Sequence, residues 1–172
     1  MKKALSLLFA AYALCSAPLL AQSENQKTYD PAPIAFNTST EADVVGVRFN
    51  FPFGRCEQVT GFDLGFLGNA NNFFGLQLNI LRNKTIDRME GIQIGLVNLA
   101  GNLFGLQAGL WNENLTACGI SVGLVNVADH HSGMQIGLIN RCESIDGYQI
   151  GVVNVIRSSA VPFCPVINFT FD

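Results

Sequence analysis

Asp129-His130-His131 holds the two histidines of this 172-residue chain, and adjacent imidazoles beside a carboxylate are raw material for a metal centre or a proton relay. A metal needs three or four converging ligands. The surrounding sequence supplies none at ligand spacing, so the stretch reads as a solvated turn. The cysteines Cys56, Cys118, Cys142 and Cys164 contain no Cys-x-x-Cys and no histidine at zinc-ligand distance. The carboxylates Asp63, Glu113, Glu143 and Asp146 fall in different stretches with no apolar cleft to raise a pKa. Ser158 and Ser159 lack a base nearby in the sequence, and no glycine run leads into the Lys-Ser/Thr that a phosphate loop requires. The expectation is a non-enzyme with no catalytic, cofactor-binding or metal-binding residues and no cofactor.

What could bind is a surface. Gln77, Gln93, Gln107, Gln135 and Gln149 recur at one place of a repeated phrase, and Trp111 falls on the same side of its strand. A flat, neutral row of amides beside an indole suits an envelope polysaccharide or another surface protein.

These residues are positioned by a phrase clearest as Gly91-Ile92-Gln93-Ile94-Gly95-Leu96-Val97-Asn98. It opens at Gly61, Gly75, Gly91, Gly105, Gly119, Gly133 and Gly147, in steps of 14 residues except for 16 between Gly75 and Gly91. Its second, fourth and sixth places are apolar, as in Ile120, Val122 and Leu124, which is the period-two signature of a strand. Glycine at the first and usually the fifth place excludes a helix. The variable, mostly polar residues after each asparagine read as turns. Alternate units differ there: Leu99-Ala100 and Val127-Ala128 are apolar, whereas Glu113-Asn114 and Arg141 are polar. That alternation points to pairs of strands of about 28 residues. On this count Cys118 and Cys142 lie on one edge of adjacent coils, close enough to admit a disulfide.

Two all-β architectures fit. One is a β-solenoid or β-roll of 14-residue strand-turn units with atypical end strands, its aliphatic places meeting in the middle and its glutamine face outward. The other is a small transmembrane antiparallel β-barrel with the aliphatic places toward lipid, acting as an anchor or narrow pore. Uniformly short connections favour the solenoid, because outer-membrane barrels alternate short turns with long loops. Near the start, Val45, Val47, Phe49, Phe51 and Phe53 alternate as an opening strand with one buried face. At the end, Val161 and Pro165 replace the usual glycines around Asn168, which reads as a closing cap.

Lys2 and Lys3 followed by the apolar run Ala4 to Leu14 have the form of an export signal over residues 1–21. Residues 22–44 read as a flexible leader and 45–172 as the β-repeat domain. Export makes disulfides feasible for the four remaining cysteines. A net charge of −3 and only 13% charged residues exclude the basic face a nucleic acid needs. A hydrophobic fraction of 49% demands either a large core or membrane association.

From Val45 onward the chain resembles a family of exported bacterial surface-repeat proteins. The features that carry the likeness are Val47-Arg48-Phe49-Asn50-Phe51-Pro52-Phe53-Gly54, Gly61-Phe62-Asp63-Leu64-Gly65, the repeated Gly-x-Gln-Ile-Gly-Leu-x-Asn and the Pro-flanked ending at Asn168. The resemblance implies residence in a Gram-negative envelope (outer membrane, cell surface or periplasm) and no particular activity. Asn79 at a usual glycine and the insertion before Gly91 depart from the pattern.

Overall fold

The computed structural model describes residues 32–36 and 43–171. The export signal and most of the leader lie outside the described residues. What is described is all-β: β1 (Ala32–Phe36), β2 (Val44–Ile94), β3 (Val97–Ile156) and β4 (Phe163–Thr170). β2 and β3 are far too long to be straight strands of one domain. Each winds through successive coils of a solenoid, so the sheet hydrogen bonds run between a coil and the next.

The coil closes in 14 residues. Gly91 lies in register with Gly105, Ile92 with Leu106 and Gln93 with Gln107, all parallel. Each phrase-opening glycine sits on the carbonyl of the previous one: Gly61 on Gly46, Gly75 on Gly61, and so on to Gly147 on Gly133. The 28-residue strand pair expected from the sequence is therefore not the structural unit; every 14-residue phrase is one full rung. At the rung beginning at Gly75, one of the two extra residues is absorbed between Ile80 and Arg82 and the other as a register shift between Thr85 and Arg88. β1 pairs in parallel with β2 and buries Ala35, so part of the presumed leader already belongs to the sheet. β4 runs antiparallel along the last rung, Gly147 opposite Thr170 and Ile150 opposite Ile167, and covers the final edge. This is the closing cap, although its chain direction reverses instead of continuing the coil.

The facing of the rungs is the reverse of the expectation. Gln77, Gln93, Gln107, Gln135 and Gln149 are buried at 0% exposure, as are Asn83, Asn98, Asn112, Asn126, Asn140 and Asn154. Ile92, Ile94, Leu96, Ile120, Val122 and Leu124 are exposed instead. The opening strand follows the same rule: Phe49, Phe51 and Phe53 face out while Arg48 and Asn50 are buried. The segments read as turns are strand as well, and they supply the apolar interior through their tenth and thirteenth places. Ala70, Ala100, Ala128 and Ile156 stand at the tenth; Phe73, Leu103 and Ile145 stand at the thirteenth, and Met89 takes the matching place in the 16-residue rung.

Hydrogen bonding explains why amides win the interior. Gln93 Nε2 donates to Gln77 Oε1 at 2.8 Å and Gln107 Nε2 to Gln93 Oε1 at 2.7 Å. In the asparagine column Asn98, Asn112, Asn126 and Asn140 each donate to the next Oδ1 at 2.8 Å. The second amide proton of Asn112 reaches Val122 O at 2.8 Å, a carbonyl of the following rung. An amide repeated at the sheet spacing of about 4.8 Å saturates itself, which removes the penalty that normally keeps Asn and Gln outside. The two columns donate in opposite directions along the axis, glutamines toward the N-terminal end and asparagines toward the C-terminal end.

Candidate functional site

Placing amides inside leaves the second, fourth, sixth and seventh places of each rung on the outer surface. From the rung at Gly91 to the rung at Gly147, those places carry no Asp, Glu, Lys or Arg. They form an uncharged sheet of Ile, Leu and Val: Ile94, Leu96, Leu110, Leu124, Leu138 and Val152 are all exposed. Charges gather on the other side of the coil, where Asp87, Arg88, Asp129, Arg141, Glu143 and Arg157 are exposed. Exposed ion pairs there join Arg88 to Glu90 and, at 3.6 Å, Arg157 to Glu143. The solenoid is thus amphipathic across its section, and the stacking preserves that division along its length.

Glycine shapes a groove in this face. A Cβ at Gly109 would strike Gly95 O and crowd Asn98 Nδ2, the amide that reaches Ala108 O at 2.8 Å. The fifth place therefore stays bare, and a trough runs between the ridge of fourth-place side chains and the ridge of sixth-place side chains. Near the C-terminal end it is floored by Gly123, Gly137 and Gly151 and walled by Val122, Ile136 and Ile150 on one side and Leu124, Leu138 and Val152 on the other. Pro165 and Val166 of β4 close it. A neighbouring hollow is lined by Ile120, Met134, Tyr148 and Phe171, with Ser132 and the carboxylate-bearing Asp146 at its edge.

Aromatic rings mark both ends of the face. At the first rungs Phe36 stacks on Phe49 with centroids 5.2 Å apart, and Phe51 meets Phe66 edge-on at 5.2 Å. At the cap Tyr148 packs against Phe171 at 5.1 Å and Phe169 at 6.1 Å. All of these rings are exposed to a substantial degree.

The structure disperses the remaining chemistry-bearing residues. His130 is exposed and its Nδ1 meets Ser144 Oγ at 2.7 Å, whereas His131 points inward, as neighbours on a strand must. Asp63 is buried against Arg48, Glu113 accepts from Trp111 Nε1 at 3.1 Å, and Glu143 faces Arg157. Ser159 Oγ accepts from Val161 N at 3.2 Å in the turn before β4.

Two sequence-based expectations are corrected here. The glutamine row is no binding face, because its members point into the solenoid, and Trp111 lies on the outer side away from them. Cys118 and Cys142 do not bridge: both are free thiols, Cys118 exposed and Cys142 buried. With a 14-residue coil they occupy the fourteenth and tenth places of their rungs, one outward and one inward. Burial pushes the Cys142 thiol up to about 12 from its ordinary 9.0, with Glu143 adding to the effect.

The aliphatic face was missed for a physical reason, since alternation shows that a strand has two faces but not which one is inside. Comparison with protein-family models, curated proteins and solved structures finds no match to this chain.

Proposed function

We propose that this protein is a non-catalytic repeat scaffold of a Gram-negative cell envelope that lies against lipid through its aliphatic face. The observation that carries the reading is the absence of charge from the second, fourth, sixth and seventh places of the rungs from Gly91 to Gly147, which leaves an Ile/Leu/Val-rich sheet with Asp146 and Glu113 only at its margins. Exposed apolar surfaces of this extent mark membrane or protein contacts.

A solenoid is suited to lipid on its flank because coil-to-coil bonding occupies the backbone N–H and C=O groups of each inner rung. Unsatisfied backbone is what bars most irregular structure from the apolar layer. The glycine stack from Gly46 to Gly147 takes seven steps, about 34 Å at the sheet spacing of about 4.8 Å. Aromatic clusters stand at the two ends, an arrangement that suits an apolar region bordered by headgroups. The envelope setting rests on the export-type N-terminus and on the resemblance to exported surface-repeat proteins. The solenoid takes the place of the transmembrane barrel, so the protein associates with one leaflet and forms no pore.

Flotation of the mature chain with phosphatidylcholine vesicles tests this. It should rise with the vesicles, and raising the salt should not release it, because no ion pairing is involved. A chain that stays at the bottom of the gradient and sediments as a monomer without detergent defeats the proposal. So does a stable dimer that leaves vesicles unbound, since a second copy would then be the occupant of the face.

A further inference from the structure

The interior is interrupted at one rung, and two independent features stop there. The glutamine column runs from Gln77 to Gln107 and again from Gln135 to Gln149, with Ser121 in the gap. The apolar core is likewise two clusters, one ending at Ala117 and the other beginning at Ala128. Between them, at the place where other rungs put Leu103 or Ile145, stands His131. The asparagine column passes through unbroken, Asn112 to Asn126 to Asn140. The interior of the Gly119 rung is therefore polar, and it is short of atoms, with serine in place of glutamine and Ala117 in the rung below.

Below the gap the loss is repaired. Asn114 Nδ2 donates to Gln107 Oε1 at 2.9 Å, supplying the proton that a glutamine at the next rung would have given. Above it nothing does the same. Gln135 Nε2, Ser121 Oγ and both ring nitrogens of His131 are buried without a hydrogen-bond partner in the protein. The backbone of Met134 and Gly119 approaches the imidazole without completing a bond; Met134 directly precedes Gln135, and Gly119 stands two residues before Ser121. Each stranded buried group is costly, and native interiors seldom collect several in one place without filling the space between them.

We propose that the interior of the Gly119 rung is a hydration site, in which ordered water bridges Gln135 Nε2, Ser121 Oγ and the His131 ring and completes the broken glutamine ladder. The donor set selects water by chemistry. An amide N–H₂ must donate, a hydroxyl does either, and a neutral imidazole offers one donor and one acceptor. An anion would find no charge to meet, and a cation would face the amide protons of Gln135. Water, which donates and accepts about equally, satisfies a mixed neutral set of this kind. The rung then joins the two halves of the glutamine ladder through solvent.

A crystal structure of the full chain, at a resolution that shows interior solvent, should place water about 3 Å from Gln135 Nε2 and Ser121 Oγ; protein atoms packed across the gap would overturn the proposal. Ser121→Gln should displace that water, link Gln107 to Gln135 and raise Tm. Ser121→Ala decides the matter whether or not the longer side chain fits. In a hydrated site it removes an anchor and lowers Tm, whereas in a dry one it removes an orphaned hydroxyl and leaves Tm unchanged or higher, which would refute hydration.

Discussion

Arg48 grips Asp63 with two parallel hydrogen bonds, Nε to Oδ1 at 2.8 Å and Nη2 to Oδ2 at 2.7 Å, and both side chains are wholly buried. They stand in the glutamine column, one rung apart, and Gln77 Nε2 donates to Asp63 Oδ2 at 2.8 Å. Asp63 is thus the final acceptor of the N-terminal amide ladder, and Arg48 neutralises it and donates onward to Asn69 O at 3.0 Å. Removing one partner of a buried pair strands the other charge, so Arg48→Met should cost about 3–5 kcal/mol. Adding Asp63→Gln should recover most of that, because the column then continues as neutral amides. Urea denaturation of the single and double variants reads the difference directly.

The asparagine column and the aliphatic face make opposite demands on substitution. Asn112 accepts from Asn98 and donates to Asn126 and to Val122 O. Asn112→Ala should therefore cost roughly 1–3 kcal/mol for each group left stranded. Leu110, two residues away and half exposed, should accept serine with a change within about 0.5 kcal/mol. A hydrophobic-in solenoid predicts the reverse order, and the two midpoints decide between them.

Stacked glycines set the limit on how closely rungs approach. Gly105 holds φ at 138°, and a Cβ there would strike Gly91 O. Gly105→Ala combines that backbone clash with a conformation L-residues avoid, so the variant should fail to give the β-rich circular dichroism of the parent. Ser132→Ala, one residue ahead of another phrase-opening glycine on the exposed side, should keep it.

Much of this architecture was legible in the residues, and the part that was not has a definite cause. The 14-residue step, the strand character and the atypical end at Pro165 follow from glycine spacing and period-two alternation. Which face turns inward does not, because the rule that buries Ile and Leu competes with one that lets identical amides saturate each other when stacked. One signal for the second rule was present. The second and fourth places exchange Ile, Leu, Val, Met, Phe and Tyr freely between rungs, while the eighth is asparagine in every rung from Gly91 to Gly147. Loose choice among apolar residues fits a surface that needs only to be apolar, and strict identity fits a ladder that needs one geometry. Asn79, a departure from the pattern, makes sense on the same terms. It occupies the space over Gly68 and donates to Asn83 Oδ1 at 2.8 Å, capping the first asparagine of its column. The alternating Ala and polar residues that suggested a 28-residue unit instead reflect how each rung fills its tenth place.

The proposed lipid contact separates from stability at Leu138, which is 53% exposed on the wall of the glycine-floored groove. Leu138→Glu loses no buried packing, so Tm should move little. A carboxylate in the middle of the uncharged sheet should nonetheless abolish vesicle flotation at neutral pH, since entering an apolar layer charged is costly. Retained flotation would remove this face as the contact.

Two buried titratable groups give the stability curve its edges. Desolvation lowers the His131 pKa below its ordinary 6.5, partly opposed by the backbone of Met134 and Gly119. The unfolded chain therefore binds a proton that the native one refuses as pH falls below about 6.5. Stability should be full above that value and decline as pH drops toward the depressed native pKa. Cys142 sets the other side: its thiol, pushed up to about 12 from 9.0, stays protonated in the fold while the unfolded chain ionises, so stability should fall as pH rises through that window. Difference profiles against His131→Gln and Cys142→Ala isolate each contribution, the first flattening the acid limb and the second the alkaline limb. A thiol reagent at neutral pH should mark exposed Cys118 at once and reach buried Cys142 only on unfolding; equal labelling of the two in the native protein would place Cys142 outside the interior.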